Sequence, residues 1–134
     1  MPERRAACSC GQLTVKCAGK PVRVSICHCL ACQRRTGSVF GEQARFKKDD
    51  IKEISGRSTL YVRIGDKGGK ISYRFCPTCG ATVYYMMSNE PELVAIPVGA
   101  FADPKFPTPI LSFYESRKHD WVKVPDGPDV AHLD

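Results

Sequence analysis

Hydrophobic and polar residues alternate with a period of two along most of the chain, in short runs broken by glycine and proline. That period belongs to half-buried strands, whose successive side chains face opposite sides of a sheet. Residues 12–18 (QLTVKCA) predict a first strand, and Gly19, Lys20 and Pro21 turn the chain. Residues 22–28 predict a second, with Val22, Val24 and Ile26 on one face. The segment 29–37 (CLACQRRTG) predicts a single helical turn, ended by Gly37. Residues 38–46 predict a strand bent at Gly41, and residues 47–54 one or two turns of helix or a loop. Residues 58–64 are β-branched and aromatic-rich, residues 65–69 (GDKGG) suit a hairpin loop, and residues 70–76 place Ile71, Tyr73 and Phe75 on one face. Residues 81–87 predict another strand, and the apolar run 92–98 a more buried one. A proline-rich loop (99–109), a last strand (110–116) and a short edge piece (121–124) follow. Residues from about 126 to 134 read as a loosely packed tail. The expectation is an all-β protein of short antiparallel sheets with at most short helical turns. At 134 residues, one domain spanning 1–134 is expected.

Composition narrows the class. No apolar stretch approaches the ~20 residues of a membrane helix. No apolar run of about 7–15 residues follows Arg4 and Arg5, as it would in a secretory leader. A soluble, cytoplasmic protein without a membrane partner is expected. The formal charge of +6 would suit nucleic acid, but the basic residues are scattered, and seven thiolates on two Zn²⁺ would bring the charge to roughly +3. A nucleic-acid partner is therefore not expected, and the sequence does not give the oligomeric state.

The eight cysteines change the picture most. They form C-x-C (Cys8, Cys10), C-x-C-x-x-C (Cys27, Cys29, Cys32), C-x-x-C (Cys76, Cys79) and a lone Cys17. Cysteines this close in sequence suit one metal ion better than structural disulfides. "CPTCG" has the form of a zinc knuckle joining two strands, and no thioredoxin-like βαβ unit surrounds it. A structural zinc takes four ligands. The economical pairing is therefore Cys8 and Cys10 with Cys76 and Cys79, which staples distant parts of the chain. Cys27, Cys29 and Cys32 then form a three-ligand set. Three ligands and an open position suit catalysis, because a thiol entering that position is deprotonated by the metal. The alternative is a closed site, completed by Cys17 or His119. His28 sits between two ligands and should point elsewhere, and Cys17 in its strand reads as a small buried side chain.

The clusters and their surroundings resemble the glutathione-dependent formaldehyde-activating enzymes, which include S-(hydroxymethyl)glutathione synthase and are related to centromere protein V. The likeness rests on "CSCG", "CHCLACQRRTGSVF", "RFCPTCGATVYY", "GAFADP" and "KHDW", which span nearly the whole chain. It implies a zinc-stapled β-tent with two zinc ions. Cys8, Cys10, Cys76 and Cys79 would hold the structural one, and Cys27, Cys29 and Cys32 the catalytic one. It also implies a carbon–sulfur lyase that joins glutathione to formaldehyde, and the reverse. Arg34 and Arg35 follow the triplet and are candidates for the carboxylates of a glutathione-like thiol, although each alone is an ordinary surface charge. His28, His119 and Tyr73 are candidates for acid or base, and His132, in the tail, is a poor one. A different thiol or aldehyde, or a non-catalytic zinc module for a protein or nucleic acid, are the competing readings.

Overall fold

A computed structural model describes residues 2–134. The strands in chain order are β1 (Glu3–Ala7), β2 (Thr14–Ala18), β3 (Arg23–Cys27), β4 (Gly41–Lys47), β5 (Ile51–Ser55), β6 (Thr59–Ile64), β7 (Lys70–Phe75), β8 (Thr82–Met87), β9 (Leu93–Pro97), β10 (Leu111–Phe113) and β11 (Ala131–His132). One helix, α1 (Leu30–Thr36), lies between β3 and β4, and three short 3-10 turns complete the regular structure among the described residues.

The strands form two sheets. β1, β2 and β5 make a small antiparallel sheet. The large sheet runs β11-β10-β3-β4-β9-β8-β7-β6. It is antiparallel from β3 to β6, and β10 pairs in parallel with both β3 and β11.

Alternation decides which face does what. On β4, Ala44 and Phe46 join Val24 of β3 and Val94 and Ile96 of β9 in the main core, packed with Ala6, Val15 and Cys17 of the small sheet. The opposite face of the same central strands carries Arg23, Ser25 and Cys27 on β3, and Gly41, Gln43 and Arg45 on β4. It continues into a second apolar cluster of Ile71, Tyr73, Tyr85 and Ala95. A polar face on central strands is costly unless its groups are partnered or turned into a cavity. Here both hold.

α1 exists because its ends are capped. Cys29 is extended (φ −61°, ψ 153°) and its Sγ accepts the Cys32 N–H at 3.3 Å. At the other end Gly37 is left-handed (φ 73°), and its N–H donates to Gln33 O at 2.9 Å. A β-carbon would strain that conformation.

Some expectations change. β1 was not anticipated. Residues 38–40 are bends, and the strand begins only at Gly41. Residues 47–54 give one 3-10 turn (Lys48–Asp50) and then β5, so the expected helix or loop is largely a strand. Residues 121–124 are turn and coil, with Val122 buried, and not an edge strand. Near the C-terminus the exposed β11 is tied down by Ala131 N–H to Ile110 O (2.9 Å) and Leu133 N–H to Ser112 O (2.8 Å).

Candidate metal centres and pocket

The loop between β1 and β2 carries Cys8 and Cys10, and the turn between β7 and β8 carries Cys76 and Cys79. Their four Sγ atoms lie within 4.8 Å of one another. Cys10 Sγ is 3.7 Å from both Cys8 Sγ and Cys76 Sγ. Tetrahedral Zn–S bonds of about 2.3 Å put sulfurs about 3.8 Å apart, so the set fits that ion.

The local backbone is shaped for thiolates. Cys8 Sγ accepts the Leu13 N–H at 3.3 Å. Cys76 Sγ accepts from Gln12 Nε2 at 2.9 Å, Thr78 N at 3.3 Å and Cys79 N at 3.4 Å. Burial opposes ionisation of Cys76, yet these donors outweigh it and pull the thiol down to about 5. Gln12 also bonds both the N–H and the carbonyl of Arg57 through its amide, at 2.9 and 2.8 Å. It therefore ties the first knuckle to the second and to the connection between β5 and β6. Nothing in the sequence pattern singled Gln12 out.

Cys27 at the end of β3, Cys29 at the helix cap and Cys32 in the first turn of α1 form the second group, again within 4.8 Å. Hydrogen bonds from Cys27 and Cys32 lower the Cys29 thiol, and the same bond raises Cys27. Thiolates at this spacing also suit a zinc ion.

The side chains that would have closed this set are engaged elsewhere. Cys17 is fully buried in the main core on β2, and burial pushes its thiol up to about 11. His119 Nε2 pairs with Gln33 Oε1 at 3.1 Å. His28 turns to the other side, where its buried ring pairs with Ser112 Oγ at 3.0 Å and meets Phe40 edge-on. Burial also lowers its pKa, which keeps the ring neutral. His132 pairs with Glu115 at 2.6 Å, in the C-terminal segment.

Cys27, Cys29 and Cys32 line a cavity of about 270 Å³. Its walls include Gln43, Arg45, Arg63, Tyr73, Tyr85 and Glu90. A second, wider cleft of about 590 Å³ shares Arg63 and Tyr73 with it and is lined by Arg34 and Arg35. Arg35 lies over the rings of Tyr73 and Tyr85, at 5.4 and 5.3 Å. Two knuckles with four thiols between them, and a separate capped triplet opening on a pocket, form one arrangement across nearly the whole chain. A family model for glutathione-dependent formaldehyde-activating enzymes matches residues 3–117.

The chain belongs to that family. A solved structure of a Rhodobacter sphaeroides protein is similar in fold, with a TM-score of 0.58 and 22% identity over 75% of this chain and 92% of that one.

For this formaldehyde-activating family member, the pocket residues beyond the cysteines were the part hidden from sequence reading. Gln43 and Arg45 come from β4, Arg63 from β6 and Glu90 from the β8–β9 connection, and they carry no shared motif. The one available signal was "EQARF" on β4. Polar residues at alternate positions of a strand between two apolar neighbours mark a face that lines a cavity.

Proposed function

We propose that the protein adds a glutathione-like thiol to formaldehyde, or to a related small aldehyde, and catalyses the reverse carbon–sulfur cleavage. In this reading it holds two Zn²⁺, a structural one on Cys8, Cys10, Cys76 and Cys79, and a catalytic one on Cys27, Cys29 and Cys32. The observation that carries the reading is the three-thiol set lining a small-molecule cavity, with Cys17 and His119 both committed elsewhere.

When bound at the triplet, zinc supplies a Lewis acid with one position free, which favours the thiolate of an incoming thiol. The protein's own groups do the rest. The pocket walls hold the aldehyde beside the sulfur. The carbon–sulfur bond forms, the carbonyl π pair moves to oxygen, and that oxygen takes up the proton equivalent to the one the thiol lost. Of the three acid–base candidates, only Tyr73 lines the pocket, and it is assigned the proton transfer. Arg35, fixed over Tyr73 and Tyr85, and Arg34, on the second cleft, offer guanidinium forks for a carboxylate of the thiol substrate. Cysteines clustered for a metal ion and not paired as disulfides suit a reducing compartment, which supports a cytoplasmic site of action.

The test is exchange spectroscopy of glutathione with formaldehyde. The addition proceeds without a catalyst, so acceleration above the protein-free rate is the quantity read. Acceleration proportional to protein concentration, and lost in Cys29→Ala, is expected. Equal exchange with parent and variant would refute the catalytic reading.

A further inference from the structure

β6 ends the large sheet, and no strand pairs with its outer side among the described residues. The opposite end is the two-residue β11. Free edges invite pairing, so soluble proteins shorten them, charge them, or break them with proline or a bulge. β6 has little of this protection. It runs six residues without proline, its register with β7 is unbroken, and Arg63 is its one charge. Leu60, Tyr61, Val62 and Ile64 are 46%, 55%, 42% and 57% exposed.

The hairpin fixes which backbone groups are free. Gly65 N–H donates to Gly69 O at 2.8 Å, and the register continues through Arg63–Ile71, Tyr61–Tyr73 and Thr59–Phe75. Bonded pairs alternate along an antiparallel ladder, so these odd positions bond β7. The N–H and C=O of Leu60, Val62 and Ile64 therefore point outward. Arg63 Nη1 reaches Ile64 O at 3.4 Å, a long contact that leaves a lone pair free. The side chains of the same three residues lie on the main-core face. The rows Met86–Ser72–Val62 and Tyr84–Arg74–Leu60 run from that core to the edge. Ile54, which faces the core residue Val15 across the small sheet, is also 45% exposed. The apolar face thus continues past the core to an open edge.

We infer that β6 is a dimer interface, in which β6 of a second copy pairs antiparallel about a two-fold axis at Val62. The outward groups decide the register. A regular ladder sets outward residues opposite outward residues, with two backbone hydrogen bonds per rung. Pairing Leu60 with Ile64, Val62 with Val62 and Ile64 with Leu60 uses all three residues of each copy. A register that pairs Leu60 with Val62 sets Ile64 against Ser58, and one that pairs Val62 with Ile64 sets Arg63 against Arg63. With the axis at Val62, Arg63 of each copy lies opposite the Tyr61 ring of the other, a cation–π pairing. Tyr61 is already stacked on Tyr73 at 6.1 Å. The contact is isologous and closes on itself. Both pocket faces fall on the same side of the joined sheet, because opposed residues share a face. Tyr61 and Arg63 line the wider cleft, so each copy places a residue on the rim of the other's cleft.

The test is sedimentation equilibrium of the zinc-loaded protein, with amide hydrogen exchange read by NMR at low and high concentration. One strand pair is a small interface, so a Kd of about 1–100 µM is expected and the range covered is about 1–500 µM. The mass should rise from 14.8 kDa to twice that and stop there. Exchange of the Leu60, Val62 and Ile64 amides should slow about tenfold with concentration, while Tyr61 and Arg63, bonded to β7, are protected throughout. Val62→Lys sets two like charges at the axis, at an exposed position, and should stay monomeric with the parent's melting temperature. A parent monomeric at the top of the range, a dimer that Val62→Lys leaves intact, or growth beyond the dimer would overturn the inference. So would a dimer in which the Leu60, Val62 and Ile64 amides exchange as fast as in the monomer, because another surface would then hold it.

Discussion

Gly41 has no side chain where the triplet needs room. A β-carbon there would lie 3.3 Å from Cys32 Cβ, 3.6 Å from its Sγ and 3.3 Å from Arg35 Nη2. The two 3.3 Å contacts are tighter than normal packing, so Cys32 and Arg35 must shift by a few tenths of an ångström. Gly41→Ala should therefore weaken metal retention at the triplet by about tenfold, read by competition with a chromophoric chelator, while the four-cysteine site keeps its ion. Retention equal to the parent at both sites would contradict this. At this scale the two cysteine groups were legible as clusters that could hold a metal ion, because short spacings within each motif bring sulfurs together. Gly41 was visible only as a bend. Gln12 was invisible, and Gln43 and Arg45 were marked only as a polar face of β4, because their roles depend on which side chains the fold places opposite them.

Among the elements, those with a clean alternation were read well. β7, β8 and β9 bury one or both faces, so their patterns carry the fold. β1 and β5 are edge strands of the small sheet and lie mostly in solvent, so polar residues cover them and no period appears. β11 is shorter still, and beside its backbone bonds to β10 it is held by the pairing of His132 with Glu115. His132 is raised by its hydrogen bond to Glu115. Burial works against the Glu115 carboxylate, yet hydrogen bonds from Ser112 and His132 hold it below its ordinary value. A raised histidine stabilises fully below its unfolded pKa near 6.5, and the contribution fades as pH rises through the folded value. A lowered carboxylate stabilises above its unfolded value near 4.5, and is lost as pH falls through the folded one. The pairing is therefore strongest between those two values. The His132 ring resonances should titrate above 6.5 in the parent and return towards that value in Glu115→Gln. Identical midpoints would show that β11 is not held this way.

For the whole molecule, the proposed structural zinc would matter more than any strand. Cys10 and Cys76 are 66 residues apart, and their knuckles join the small sheet to the large one. A structural zinc contributes about 10–16 kcal/mol to a small metallo-domain, as much as the 5–15 kcal/mol net stability of a typical domain. Gln12 supports that staple through Cys76 and Arg57. Gln12→Ala should lower the melting temperature and weaken chelator resistance of the four-cysteine site by about tenfold. No change in either would reduce Gln12 to a surface contact. The central claim is that seven cysteines share two ions and that the triplet keeps one place for a thiol. Zinc X-ray absorption on the loaded protein tests it directly. The account predicts seven sulfurs and one lighter donor over the two ions, rising to eight sulfurs when glutathione is added. Eight sulfurs before glutathione, or a count that glutathione leaves unchanged, would contradict it.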